Sequence, residues 1–121
     1  MDSNTRSTIA YIAGKIISNT TSTSLYDSKQ RKYIEFSGTI DKATINIYNF
    51  DVKNYYSGNY SGDHYSIYSY DICNYVNLKI SGNLFNGYDF ASSNYYSGSV
   101  NGNSISIYEY ETSEYYDYRM K

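Results

Sequence analysis

The chain has no proline, no tryptophan, one cysteine and one histidine in 121 residues. Each shortage removes a class of explanation. A lone Cys73 excludes an internal disulfide and any zinc site built on thiolates. A lone His64 leaves no second imidazole for a dyad or a nitrogen-rich metal centre. No apolar run approaches the ~20 residues that a membrane-spanning helix needs. The opening MDSNTRST lacks the charged-then-apolar pattern of a secretory leader. The expectation is a soluble, cytoplasmic protein, with secretion left open.

Charge is scarce as well. The net value of −2 points to neither nucleic acid nor an acidic membrane surface as a partner. Residues 1–42 carry six basic and four acidic side chains and residues 43–121 carry four and eight, a mild polarity of +2 against −4.

Tyrosine fills the gap, at 19 residues, and with Ser, Asn and Gly it dominates the chain after residue 43. Such a composition suits strands and tight turns better than helices. It is also far from random in order. Residues 36–115 divide without gaps into four units of twenty residues, beginning at Phe36, Tyr56, Val76 and Tyr96. Tyr48, Tyr68, Tyr88 and Tyr108 then share one register, Phe50, Tyr70, Phe90 and Tyr110 a second, and Tyr55, Tyr75, Tyr95 and Tyr115 close the units. A fixed period of this kind marks a repeat architecture and a packed fold rather than low-complexity disorder.

Alternation within a unit gives the local structure. Tyr96, Gly98 and Val100 alternate with Ser97 and Ser99, Asn101-Gly102 supplies a type I′ hairpin signal, and Ile105 and Ile107 alternate with Ser104, Ser106, Tyr108 and Tyr110. Each unit is therefore two antiparallel strands. Ile45/Ile47, Tyr65/Ile67 and Ile105/Ile107 are placed in the core. Tyr48 with Phe50, Tyr68 with Tyr70, Tyr88 with Phe90, and Tyr108 with Tyr110 fall on the opposite face and form the candidate binding surface. Gly87 breaks the aliphatic pattern of the third unit.

Before the regular units, residues 1–8 are expected to be loose. Ile9, Ile12 and Ile16 fit a helical stripe. A strand is preferred over residues 9–17, because IAGKI overlays YSGSV and Leu25-Tyr26 then match Ile107-Tyr108. Residues 12–33 so become a degenerate fifth unit, with Lys29–Lys32 in a solvated turn, and residues 116–121 a terminal strand. The fold expected is all-β and a single domain: tandem hairpins in an antiparallel meander, closed into a barrel-like ring or with two edges to protect, with a β-solenoid as the alternative.

The stretch Tyr96-Ser97-Gly98-Ser99-Val100-Asn101-Gly102, with Tyr108 and Tyr110 after it, resembles the Y-x-G-x-aromatic-x-x-G pattern of MORN-type hairpin repeats. Tyr56-Ser57-Gly58-Asn59-Tyr60 repeats it. The period is shorter than that family's, and its downstream glycines are missing. Ile67-Tyr68 and Leu25-Tyr26-Asp27 are similar to the recurring strands of short bacterial β-flower proteins. The resemblance implies hairpin repeats and a binding or scaffolding role, and carries over no catalytic residue.

Chemistry has few candidates. His64 beside Asp63 reads as a polar strand start, and Cys73 as an inert turn residue. Asp51, Asp71 and Glu111 share one repeat position, while Asp89 and Glu109 share another two residues earlier. A hydrolase would need such a pair facing a cleft. Placement in exposed turns makes solvation the expectation for all five. The glycines sit in Ser-Gly and Asn-Gly turns, with no strand–glycine–helix cradle for phosphate. No metal or cofactor is expected. The function expected is non-enzymatic: a module that docks a protein partner or a second copy of itself through tyrosine. The alternatives are a carbohydrate-binding module and a fibre- or assembly-forming subunit.

Overall fold

In a computed structural model, which describes residues 1–121, ten antiparallel strands close into a barrel around one helix. The helix, α1 (Ser3–Ser18), comes first. Five hairpins follow: β1 (Ser24–Asp27) with β2 (Lys32–Ile40), β3 (Thr44–Asn49) with β4 (Asn54–Ser61), β5 (His64–Ser69) with β6 (Asn74–Ser81), β7 (Leu84–Asp89) with β8 (Asn94–Asn101), and β9 (Ser104–Glu109) with β10 (Glu114–Met120). Every strand pairs with its sequence neighbours, and β1 pairs with β10 to close the ring. The meander is thus confirmed, and the solenoid, which needs parallel ladders, is excluded.

Side-chain parity does what alternation predicts. Ile45, Ile47, Tyr65, Ile67, Ile105 and Ile107 all face the interior and are buried. Phe36, Tyr56, Val76, Tyr96 and Tyr116 join them from the even-numbered strands. The two ends of the barrel are built from different turns. At one end Gly62, Gly82 and Gly102 adopt φ of +72°, +63° and +59°, while Asp63, Asn83 and Asn103 do not take positive φ. The two-residue turns are therefore Gly-Asp and Gly-Asn with glycine first, as in type II′. The expected Asn101-Gly102 turn is displaced by one residue, and Asn101 belongs to β8. At the other end, each hairpin turns through four residues whose last member is left-handed: Arg31, Lys53, Cys73, Ser93 and Ser113.

The N-terminal expectations need correction. Residues 9–17 are helical, residues 1–8 belong largely to the same helix, and the fifth unit is the hairpin β1–β2 rather than residues 12–33. The last strand also begins earlier than 116, at Glu114. The match of Leu25-Tyr26 to Ile107-Tyr108 still holds, since Leu25 is buried and Tyr26 is outward.

Asp2 caps the helix by accepting from the Asn4 and Thr5 amides at 3.1 and 3.0 Å, and left-handed Asn19 ends it. Between these caps, every residue from Thr5 to Gly14 is buried. A helix enclosed on all sides occupies the lumen, and its neighbours confirm this. It touches β1, β2, β8, β9 and β10. Thr8 Oγ1 accepts from Asn49 Nδ2 on β3 at 3.0 Å. Tyr11 stacks on Phe36 of β2, with centroids 4.2 Å apart. Gly14 lies against Ile105 and Met120 so closely that a Cβ there would sit 2.9 Å from Ile105 Cδ1. Ser18 donates to the Gly102 carbonyl at the glycine-turn end, so the helix spans the barrel from end to end.

Candidate functional site

Two features stand out once the barrel is closed: a polar girdle inside and an aromatic girdle outside. The inner one is made by the last residue of each odd-numbered strand, Asp27, Asn49, Ser69, Asp89 and Glu109, all buried. Parity explains it. Asn49 continues the inward series of Ile45 and Ile47, as Glu109 continues Ile105 and Ile107. The N-terminal half of α1 lies within this girdle. Arg6 forms a buried ion pair through Nη1 with Glu109 Oε2, and its Nε donates to Tyr118 Oη at 3.0 Å. The Arg6 guanidinium also stacks 3.6 Å from the Tyr116 ring centre. The Met1 nitrogen lies 2.9 Å from Glu109 and 3.7 Å from Asp89. Anions beside a helix N-terminus are electrostatically favoured.

The expectation that Asp89 and Glu109 are solvated turn residues is therefore wrong. Both are 2% exposed: Glu109 pairs with Arg6 of the helix, while Asp89 accepts from the Ala91 amide and the Ser92 hydroxyl of its own turn at 3.3 and 2.8 Å. Asp51 and Glu111 do occupy the turns as expected: Asp51 pairs with Lys32 at 2.7 Å, and Glu111 lies 2.5 Å from the Met1 nitrogen. His64 starts β5 with Nδ1 3.0 Å from Asp63, which Lys79 also approaches at 3.2 Å. Together these neighbours hold the Asp63 carboxyl below its usual range, His64 contributing most. Cys73 is exposed and takes the same left-handed turn position as Arg31, Lys53, Ser93 and Ser113, so its place in the fold is a backbone role that four different residue types fill.

The outer girdle contains all eight residues of the candidate surface. Tyr48, Tyr68, Tyr88 and Tyr108 are half-buried, whereas Phe50, Tyr70, Phe90 and Tyr110 project from the four-residue turns and are exposed. The pairing adds residues that strand alternation alone did not select. Tyr48 stands directly opposite Tyr55, Tyr68 opposite Tyr75, Tyr88 opposite Tyr95, Tyr108 opposite Tyr115, and Tyr26 opposite Tyr33. A signal was available: an outward pair separated by seven residues across a four-residue turn of this type must meet, as Tyr48 and Tyr55 do. The centroids of Tyr48–Tyr55, Tyr68–Tyr75, Tyr88–Tyr95 and Tyr108–Tyr115 lie 4.8, 5.0, 4.8 and 4.8 Å apart. The turn rings add a second contact, edge-on in all four: Tyr68–Tyr70 at 4.9 Å and 81° is representative. Each hairpin so carries an interlocked aromatic cluster, three rings in four of them and two in the first.

Next to two of these clusters the outer wall is hollowed. One depression, of about 750 Å³, runs over β3, β4 and β5 beside Tyr68, Tyr70 and Tyr75. The other, of about 520 Å³, runs over β7, β8 and β9 beside Tyr108, Tyr110 and Tyr115. They are the same place in the repeat, forty residues apart: Asn46 answers to Asn86, Ser57 to Ser97, Gly58 to Gly98 and Ser66 to Ser106. Small side chains make the floor, and no charged residue lines either one. No helix of the chain is long and apolar enough to cross a membrane. Comparison with protein-family models, with characterised proteins and with solved structures finds no match.

Proposed function

We propose that the protein is a non-enzymatic recognition module whose ligand lies on the outer wall of the barrel, against the aromatic clusters. The observation that carries this reading is the recurrence of one exposed arrangement, a cross-strand tyrosine pair with a turn ring against it, around a barrel whose lumen is already filled by α1. Tyrosine offers wide, stiff contact area at small entropic cost, and the edge-on packing within each three-ring cluster fixes the rings before any ligand arrives. The paired carboxylates that hydrolysis would require, Asp89 and Glu109, are buried and already bonded, Asp89 by Ala91 and Ser92 of its own turn and Glu109 by Arg6 and the Met1 nitrogen. Assembly by adding strands edge to edge has no foothold, since β1 pairs with β10 and leaves no free edge.

The test is a variant with serine at Tyr55, Tyr75, Tyr95 and Tyr115, all exposed, so the core is untouched. Wild type and variant are compared for retention of immobilised polysaccharides and of proteins from the native source. Retention by the wild type that disappears in a variant of unchanged melting temperature supports the reading. A set of retained molecules that is the same for both overturns it.

A further inference from the structure

The two equivalent depressions narrow the ligand. We infer that each is a subsite for a neutral carbohydrate, and that the protein binds a hexose polymer at two separate places. The inference rests on the recognition role proposed above and adds the ligand's chemistry.

Charge is the first argument. The chain has 22 charged side chains, yet neither depression is lined by one. Phosphates, uronic acids, sulfated sugars and acidic peptides would find no counter-charge there. What the floor does offer is hydroxyl and amide groups: Asn46, Ser57, Asn59 and Ser66 in the first, and Asn86, Ser97, Ser99 and Ser106 in the second. Ser57 donates to Asn46 Oδ1 at 3.1 Å, which leaves the Asn46 NH2 group to donate elsewhere. Such groups donate and accept alike, matching a ligand that is itself covered in hydroxyls.

The rings are the second argument. Tyr70 and Tyr110, each more than half exposed, border the two depressions. Each is held edge-on by its half-buried neighbour, Tyr68 at 81° and Tyr108 at 75°. A fixed aromatic face beside a polar floor suits a pyranose, whose C–H face stacks while its hydroxyl rim hydrogen-bonds. The volumes fall within the ~300–1,000 Å³ of small-ligand sites.

The sequence also varies where it should if the two places are special. The position shared by Asn59 and Ser99 is Lys79 in the intervening unit, and Lys79 is tied to Asp63 at 3.2 Å. The wall over β5–β7 is thus charged where the two depressions are neutral. The depressions are four strands apart in a ring of ten, so they face different directions. One stretch of polymer cannot fill both, and the module would cross-link polysaccharide.

Affinity electrophoresis in gels containing soluble glucan, mannan or galactan tests this, with a polyuronate gel as the charged comparison. The expected result is retardation by at least one neutral polymer and by no polyuronate, unchanged by added salt. Tyr70→Ala and Tyr110→Ala should each weaken retardation, and the double variant should lose it by about tenfold or more. Gln30→Ala, an exposed turn substitution outside both depressions and every aromatic cluster, should behave as wild type. Beads coated with the retarding polymer should be clumped by the wild type and by neither single variant. Absence of retardation in all three neutral gels, or retardation that survives in the double variant, overturns the inference. If the neutral gels fail while the serine variant still loses a protein ligand, the recognition role stands and the carbohydrate assignment falls. If nothing is lost in either experiment, both fall.

Discussion

Leu78 and Gly87 stand opposite each other across β6 and β7 and reverse a size order that the other units keep. Gly38 pairs with Ile47, Gly58 with Ile67 and Gly98 with Ile107, glycine on the even-numbered strand each time. In the register that pairs Val76 with Asp89 and Lys79 with Asn86, the large residue is on the even-numbered strand instead. The Tyr96 phenol then reaches over Gly87 and donates to the Asn77 carbonyl at 2.6 Å. A Cβ on Gly87 would sit 1.8 Å from that carbonyl oxygen and 2.5 Å from the phenol.

The pair should therefore behave as one unit of volume. Gly87→Ile overfills the lumen and should cost about 3 kcal/mol, and Leu78→Gly empties it and should cost about as much. The double exchange rebuilds the Gly98–Ile107 pattern, so its loss should fall short of the sum by ~1 kcal/mol or more. Urea unfolding of the three variants measures this. Losses that simply add would show that the two positions are packed independently.

Arg6 and Glu109 are a buried pair within the lumen, so removing one partner strands the other. Arg6→Met should cost about 3–5 kcal/mol, and Arg6→Met with Glu109→Met distinctly less. Thermal melts compare them at neutral pH. An Arg6→Met protein as stable as wild type would mean that the girdle carboxylates have other compensation.

The four-residue turns hold a cost that substitution can remove. Ser93 and Ser113 both adopt φ of 57°, where an L-residue is strained and glycine is not. Ser113→Gly should stabilise the protein by up to ~1 kcal/mol. Gly102→Ala, at φ +59° in open space, should do the opposite through backbone strain alone. Chemical denaturation of the two variants should move the midpoint in opposite directions.

Alkali should unfold the barrel from its phenols. Burial, with Asp89 adding to it, holds Tyr96 well above the ordinary tyrosine value. Burial also raises Tyr118, Tyr56 and Tyr11. In the unfolded chain these groups ionise at about pH 10. Above that pH the unfolded state releases protons that the folded state keeps, so stability is whole below it and declines as pH climbs toward the folded values. Tyr96→Phe should lower the melting temperature at neutral pH, by losing the bond to Asn77, but should make the alkaline decline shallower. An alkaline decline equally steep in wild type and in Tyr96→Phe would contradict the argument.

The strands were legible because a residue on a barrel wall faces either the core or the solvent, and a two-residue period records that choice. Ile105, Ile107, Tyr108 and Tyr110 lie where alternation puts them. The helix was illegible for the opposite reason. A helix inside a barrel has no solvent face, so Ile9, Ile12 and Ile16 are not balanced by a charged stripe. Its Thr5, Ser7 and Thr8 are poor helix formers besides. Thr5 and Thr8 make sense only against Asn49 and Tyr56, which lie far along the chain. The outer clusters were half legible. Phe50 and Tyr70 could be assigned to a face, but their contact with Tyr48 and Tyr68 depends on a turn geometry that no dipeptide announces.

Enclosure of α1 also constrains the order of assembly. The segment from Asn19 to Thr23 joins the helix directly to the first strand, too short a tether for the rod to be threaded into a finished cylinder. The wall must instead wrap around it, and the pairing that closes the ring, β1 against β10, joins the first strand to the last.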